Sequence, residues 1–123
     1  MILLDTNILI EVYKKNQSIK DVVTSIGQNN LCTSVVCAAE LYFGAFNKKE
    51  LIGIQKDISL IKIYPIETSI SLLALDLIRQ HVLSNRVNYA DFLIAATCIH
   101  HQLPIYTLNK KDFKFMPGIQ FYK

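Results

Sequence analysis

The 123-residue sequence lacks the features that would place it in a membrane or in an oxidising compartment. No stretch approaches the roughly 18 consecutive apolar residues of a membrane span, so no spanning helix is expected. The start has no basic segment leading into an apolar core and a small-residue cleavage site. A signal peptide is therefore not expected, and a cytoplasmic location is. Glycine (4) and proline (3) are scarce, and no linker, repeat or low-complexity tract appears. A single domain over residues 1–123 is the expectation. Cysteine is sparse too. Cys32, Cys37 and Cys98 are odd in number and show no Cys-x-x-Cys spacing, so they read as reduced core thiols.

What is abundant is apolar. Hydrophobic residues make up 51% of the chain, and the mean hydropathy of +0.28 is high for a small protein without a membrane span. That surplus points to a protein–protein interface, with a homodimer the simplest form. The net charge is only +3, from 13 basic and 10 acidic residues. Taken alone it describes an ordinary lysine-rich surface. If four acids share one pocket, however, thirteen cations face only the six acids that remain. Such a basic exterior suits a polyanion.

Short apolar runs alternate with amphipathic ones. Strands are expected at 2–4, 31–33, 62–66 (ended by Pro65), 104–108 and 119–122. Helices are expected over 7–14, from Ser18 onward, from Ser34 or Thr33 to about Phe46, and over 48–60, 69–84 and 88–101. Ser18 and Asp21 have capping-box spacing, and Ile19, Val22, Val23 and Ile26 then recur on one helical face. Alternation of this kind predicts a parallel sheet of about five strands covered by helices on both faces, an α/β/α sandwich. In such sheets ligands bind beyond the carboxyl ends of the strands, near the point where strand order reverses.

Four acids bear on that edge. Asp5 follows the first strand, where a helix cap and a ligand position coincide. Glu40 is the one charge in the thirteen residues "SVVCAAELYFGAF", which predicts a carboxylate at least partly buried and in need of a partner. Asp91 falls at the third position of a helix capped by Asn88, suiting a capping box and the helix dipole. Asp112 follows the strand at 104–108, on the same edge as Asp5. His81, His100 and His101 show no metal-ligand spacing and read as structural or surface residues.

Taken in order, these segments resemble the PIN-domain ribonucleases, and among them the VapC-type toxins of type II toxin–antitoxin pairs. "LLDTNILI", "TSVVCAAELYFGA", "DFLIAATCIHHQLPIYTLNKKDF" and "PGIQFYK" carry the resemblance across essentially the whole chain. It implies a PIN-like fold. It implies Asp5, Glu40, Asp91 and Asp112 as catalytic ligands of Mg²⁺ or Mn²⁺, supported by Thr6, Asn7, Ser34, Thr107 and Asn109. It also implies an RNA substrate and a VapB-like antitoxin that covers the pocket. Two positions depart from the pattern. Gln102 stands where glycine commonly follows the helix, and Leu108 stands where an arginine is frequent beside Asn109.

The chemistry is consistent with that implication. Four carboxylates in one pocket repel one another and any phosphate, and a hard divalent cation resolves both conflicts. It can activate water, hold the scissile phosphate and neutralise the leaving oxygen. No His or Cys base and no Lys nucleophile accompanies the acids. Lys48, Lys49, Lys110 and Lys111 are the candidate cations for single-stranded RNA at the rim. A phosphatase with a second Asp two residues after the first is disfavoured by Asn7. A receiver domain is disfavoured by the lack of an Asp ending a middle strand. A non-catalytic RNA-binding or scaffold domain of the same fold is the remaining alternative.

Overall fold

A computed structural model describes residues 1–123. Four parallel strands, β1 (Ile2–Leu4), β2 (Leu31–Ser34), β3 (Lys62–Tyr64) and β4 (Ile105–Tyr106), lie in the order β3-β2-β1-β4. Ile2 pairs with Leu31, Leu3 with both Cys32 and Ile105, and Cys32 with Lys62. The central strands are short apolar runs with no exposed face, as parallel strands covered on both sides must be. Leu3, Leu4 and every residue of β2 are buried.

Six helices connect and cover the strands: α1 (Thr6–Tyr13), α2 (Gln17–Ile26), α3 (Val35–Phe43), α4 (Lys48–Ile58), α5 (Thr68–His81) and α6 (Tyr89–His101). The chain steps outward from β1 to β2 to β3, then returns across the sheet to β4. Right-handed crossovers place the helices of the outward steps on one face and α5 and α6 on the other. Strand order therefore reverses at β1, and Asp5 follows directly at its carboxyl end. The core joins both faces through Ile8, Leu41 and Ile54 on one side and Ile70, Phe92 and Ile94 on the other.

Several expectations needed correction. The fifth strand shrinks to one bridge, Ile105 with Phe121, after the chain turns through Pro117 and Gly118 (φ +90°). Ser18 and Asp21 do not form a capping box. Lys15 takes a left-handed φ of 60° and Asn16 caps α2 instead, its side chain accepting from the Ile19 N–H. The helix thus begins before Ser18, and Asp21 accepts from the Gln17 amide. Helix α3 stops at Phe43 and α5 at His81, both short of the expected ends. Strand β3 stops one residue before Pro65, which has no N–H for the ladder.

Other features agree with the expectations. All three cysteines are buried and unpaired. Gln102 ends α6 in the left-handed conformation (φ 55°, ψ 46°) that glycine adopts without strain.

Candidate active site at the carboxyl edge of the sheet

Asp5 is 5% exposed, and four donors face its carboxylate. Oδ1 accepts the Thr6 N–H at 2.8 Å and faces the Cys37 thiol at 3.9 Å. Oδ2 accepts the Thr107 hydroxyl at 2.8 Å and the Asn7 amide at 3.4 Å. Asp5 is thus the N-cap of α1 and a buried acid at the switch point; the two roles do not compete. Burial pushes its pKa up, and the Thr107 and Thr6 hydrogen bonds pull it down. The charges of Glu40 and Asp112 raise it further.

Asp91 sits in the first turn of α6, the helix that Asn88 caps through the Ala90 N–H. Burial pushes its pKa up to about 6, reinforced by Asp5, Asp112 and Glu40, while the Asn88 backbone N–H opposes the rise. The capping geometry read from the sequence and the charge cluster are therefore both present. Asp112 lies half-buried in a 3-10 turn, Lys110–Asp112, just after β4. Like Glu40, it acts on both Asp5 and Asp91. All four acids from distant parts of the chain converge close enough to repel one another.

Glu40 requires a correction. Its side chain is exposed, not buried. The apolar neighbours that suggested burial lie on other faces of α3, and Glu40 projects from the helix toward the start of α1. There its Oε1 accepts the Thr6 hydroxyl at 2.7 Å. A hydrogen bond from a hydroxyl, not a cation, meets its need for a partner.

The supporting residues divide. Thr107 is a hub: it donates to Asp5 and accepts the Asn109 N–H at 3.0 Å and the Asn7 amide at 3.3 Å. Asn7 also accepts the Leu108 N–H at 3.1 Å, tying α1 to the turn that leads to Asp112. Ser34 takes a different role. Its hydroxyl caps α3 by accepting the Val36 N–H and makes no hydrogen bond to an acid. Among the lysines, Lys110 is held by the Lys123 backbone carbonyl and lies 5.7 Å over the Phe121 ring. Lys48, Lys49 and Lys111 are exposed. His81 and His101 pack against Phe115 and Tyr64, away from the acids.

Two features escaped the sequence reading. One is the approach of Cys37 to Asp5, whose only signal is its position three residues before Glu40 on the same helical face. The other is a cavity of about 550 Å³ between α1, α3 and α4. It is floored by Ile10, Leu41 and Ile54 and edged by Glu40, Glu50, Asp57 and Lys14. Tyr13 closes one end by donating to Asp57 at 2.9 Å. Nothing in the periodicity of three separate helices predicts their common gap.

As oxygen donors, the four acids suit a hard cation. No three His, Cys, Asp or Glu side chains enclose an ion by themselves.

Residues 2–117 match the model of the PIN domain, and the chain belongs to the PIN-domain family. No curated protein sequence matches it. Solved structures do. A toxin–antitoxin complex from Klebsiella pneumoniae shares 25% identity over 97% of this chain and 95% of that one, with a TM-score of 0.82. VapBC from Salmonella typhimurium, bound to DNA, shares 24% identity (99% and 98% covered, TM-score 0.85). VapBC2 from Rickettsia felis, bound to a promoter DNA fragment, shares 24% identity over the same shares, with a TM-score of 0.84. The latter two establish the likeness of fold.

Proposed function

We propose that this PIN domain is a metal-dependent endoribonuclease, the toxin of a VapBC-type pair, that hydrolyses RNA phosphodiester bonds with Mg²⁺ or Mn²⁺. The observation that carries the reading is the convergence of Asp5, Glu40, Asp91 and Asp112 at the switch point of the sheet, where the charges of Glu40 and Asp112 raise the proton affinity of Asp5 and Asp91. Unscreened, such a cluster repels a phosphate, so a purely RNA-binding scaffold would have little reason to build it.

The bound cation would supply water activation and charge neutralisation at the scissile phosphate. The protein's own residues prepare for it. Four donors hold Asp5 in one orientation, so this ligand needs no reordering. Asp91, with its raised pKa, holds a proton at low pH and releases it when a cation arrives. Glu40, open to solvent and steadied by Thr6, faces the side from which a substrate enters. Exposed Lys48, Lys49, Lys110 and Lys111 are available to RNA phosphates.

The partner reading follows from the Klebsiella complex and from the cavity beside Glu40. An antitoxin segment with apolar side chains on that floor and basic ones toward Glu40, Glu50 and Asp57 would cover the site. Leu72 and Leu75, exposed on α5, are the apolar surface for a homodimer. A cytoplasmic location and a single-domain chain complete the proposal.

The test is cleavage of single-stranded RNA by the wild type and by Asp5→Asn, with and without Mg²⁺ or Mn²⁺. Cleavage that needs the cation and falls at least about a hundredfold in Asp5→Asn is expected. RNA binding without cation-dependent cleavage would replace this reading with the scaffold.

A further inference from the structure

Two hydrogen bonds cross between the start of α1 and one face of α3. Thr6, on α1, donates its hydroxyl to Glu40 of α3 at 2.7 Å. Cys37, on α3, points its thiol at Asp5 Oδ1, the cap of α1, at 3.9 Å. Cys37 and Glu40 are three residues apart and so share a helical face. Each element thus supplies the donor for the other's acid. Thr6 belongs to both sides of the exchange, because its backbone N–H also binds Asp5 Oδ1 at 2.8 Å. Cys37 is fully buried, and it alone of the three cysteines hydrogen-bonds to an acid.

We infer that Thr6 and Cys37 are positioning residues that set the separation of Asp5 and Glu40 and so build the cation-binding half-site between α1 and α3. The proposal deepens the nuclease reading and rests on it for the cation. The two carboxylates repel each other. Without the exchange, Glu40 is an exposed side chain on a solvent-facing helix edge, free to swing away from Asp5. With it, an exposed acid has a fixed direction before any ion binds. The thiol is the weaker of the two donors, and Thr6 therefore carries the larger share. Groups that orient metal ligands from behind commonly change affinity by about 10–100-fold when removed.

Mn²⁺ binding to the whole protein, followed by water-proton relaxation without RNA, provides one arm of the test. Thr6→Val is expected to weaken Mn²⁺ binding about tenfold and Cys37→Ala about threefold, with the double variant departing from the product of the two. Thr6→Ser and Cys37→Ser, which keep a donor, are expected to return to within about twofold of the wild type. A merely structural role would not be rescued in this way, and urea unfolding of each variant separates lost fold from lost affinity.

The second arm uses the metal-free protein. The carboxyl ¹³C resonance of Glu40 is expected to move in Thr6→Val, and that of Asp5 in Cys37→Ala. Unmoved resonances would overturn the exchange itself. Moved resonances with wild-type Mn²⁺ affinity in both variants would overturn the positioning role. A wild type that binds no Mn²⁺ would overturn the metal reading and the half-site with it, while the carboxyl shifts still report the pairing.

Discussion

Two regions of this protein break the rule of apolar inside and polar outside, in opposite directions. At the carboxyl edge of the sheet, Asp5, Thr33, Ser34 and Thr107 are buried, and each has a hydrogen-bond partner. On the α3–α4 arm, Phe43 and Phe46 are 91% and 92% exposed. A buried acid is costly unless donors surround it, so the sheet edge has an interlocking set of them. An exposed phenylalanine needs no local partner, and the arm has no comparable network. The edge is therefore organised by contacts within the chain, whereas the two rings between α3 and α4 face solvent.

Substitutions at the two regions should separate them. At the edge, Thr107→Val keeps the shape and deletes the hub hydroxyl. Mn²⁺ affinity should fall about 10–100-fold, read by the same relaxation measurement. An unchanged affinity would mean that Asp5 does not depend on its donors.

The next effect concerns pH. The raised pKa of Asp91 means that the folded state holds its proton more tightly than the unfolded chain does. Stability of the metal-free protein is therefore greatest below about pH 4 as far as Asp91 is concerned. It is lost as pH rises toward about 6. Urea unfolding across that window should show the decline, Asp91→Asn should flatten part of it, and saturating Mn²⁺ should reverse it. A stability that rises through the window in Asp91→Asn and wild type alike would contradict the clustering.

Smaller effects lie away from the edge. Gln102→Gly relieves a left-handed residue and should stabilise by about 0.5–1 kcal/mol in urea unfolding. Smallest of all, Phe43→Ser with Phe46→Ser should change the stability of the isolated protein by less than about 0.5 kcal/mol, because neither ring is buried. A larger loss would show that the arm is organised by the chain itself.

How much of this was legible beforehand varied by residue. Asp5, Asp91 and Asp112 were recognisable because each follows a strand or opens a helix, and local pattern places such positions on one sheet edge. Glu40 is exposed where its sequence context points to burial. Its apolar neighbours implied burial, but a helix turns by about 100° per residue, so neighbours in sequence say little about its own face. The segment "GIQFY" has strand composition, but after the turn at Pro117-Gly118 its backbone pairs with β4 through a single bridge. The Ser18 cap lost to Asn16 because the left-handed Lys15 started the helix earlier.

By itself the sequence determined the alternation of strands and helices, the parallel sheet, the candidate acids and the surplus of apolar surface. Those properties follow from periodicity and composition, which are local. Only the tertiary structure decided which donor meets which acid. It joined Thr6 to Glu40, 34 residues apart, and Thr107 to Asp5, 102 apart. It also opened the cavity between three helices and drew Lys110 to the chain end. Contacts across such separations depend on how packed elements meet, and no local pattern encodes that angle or distance.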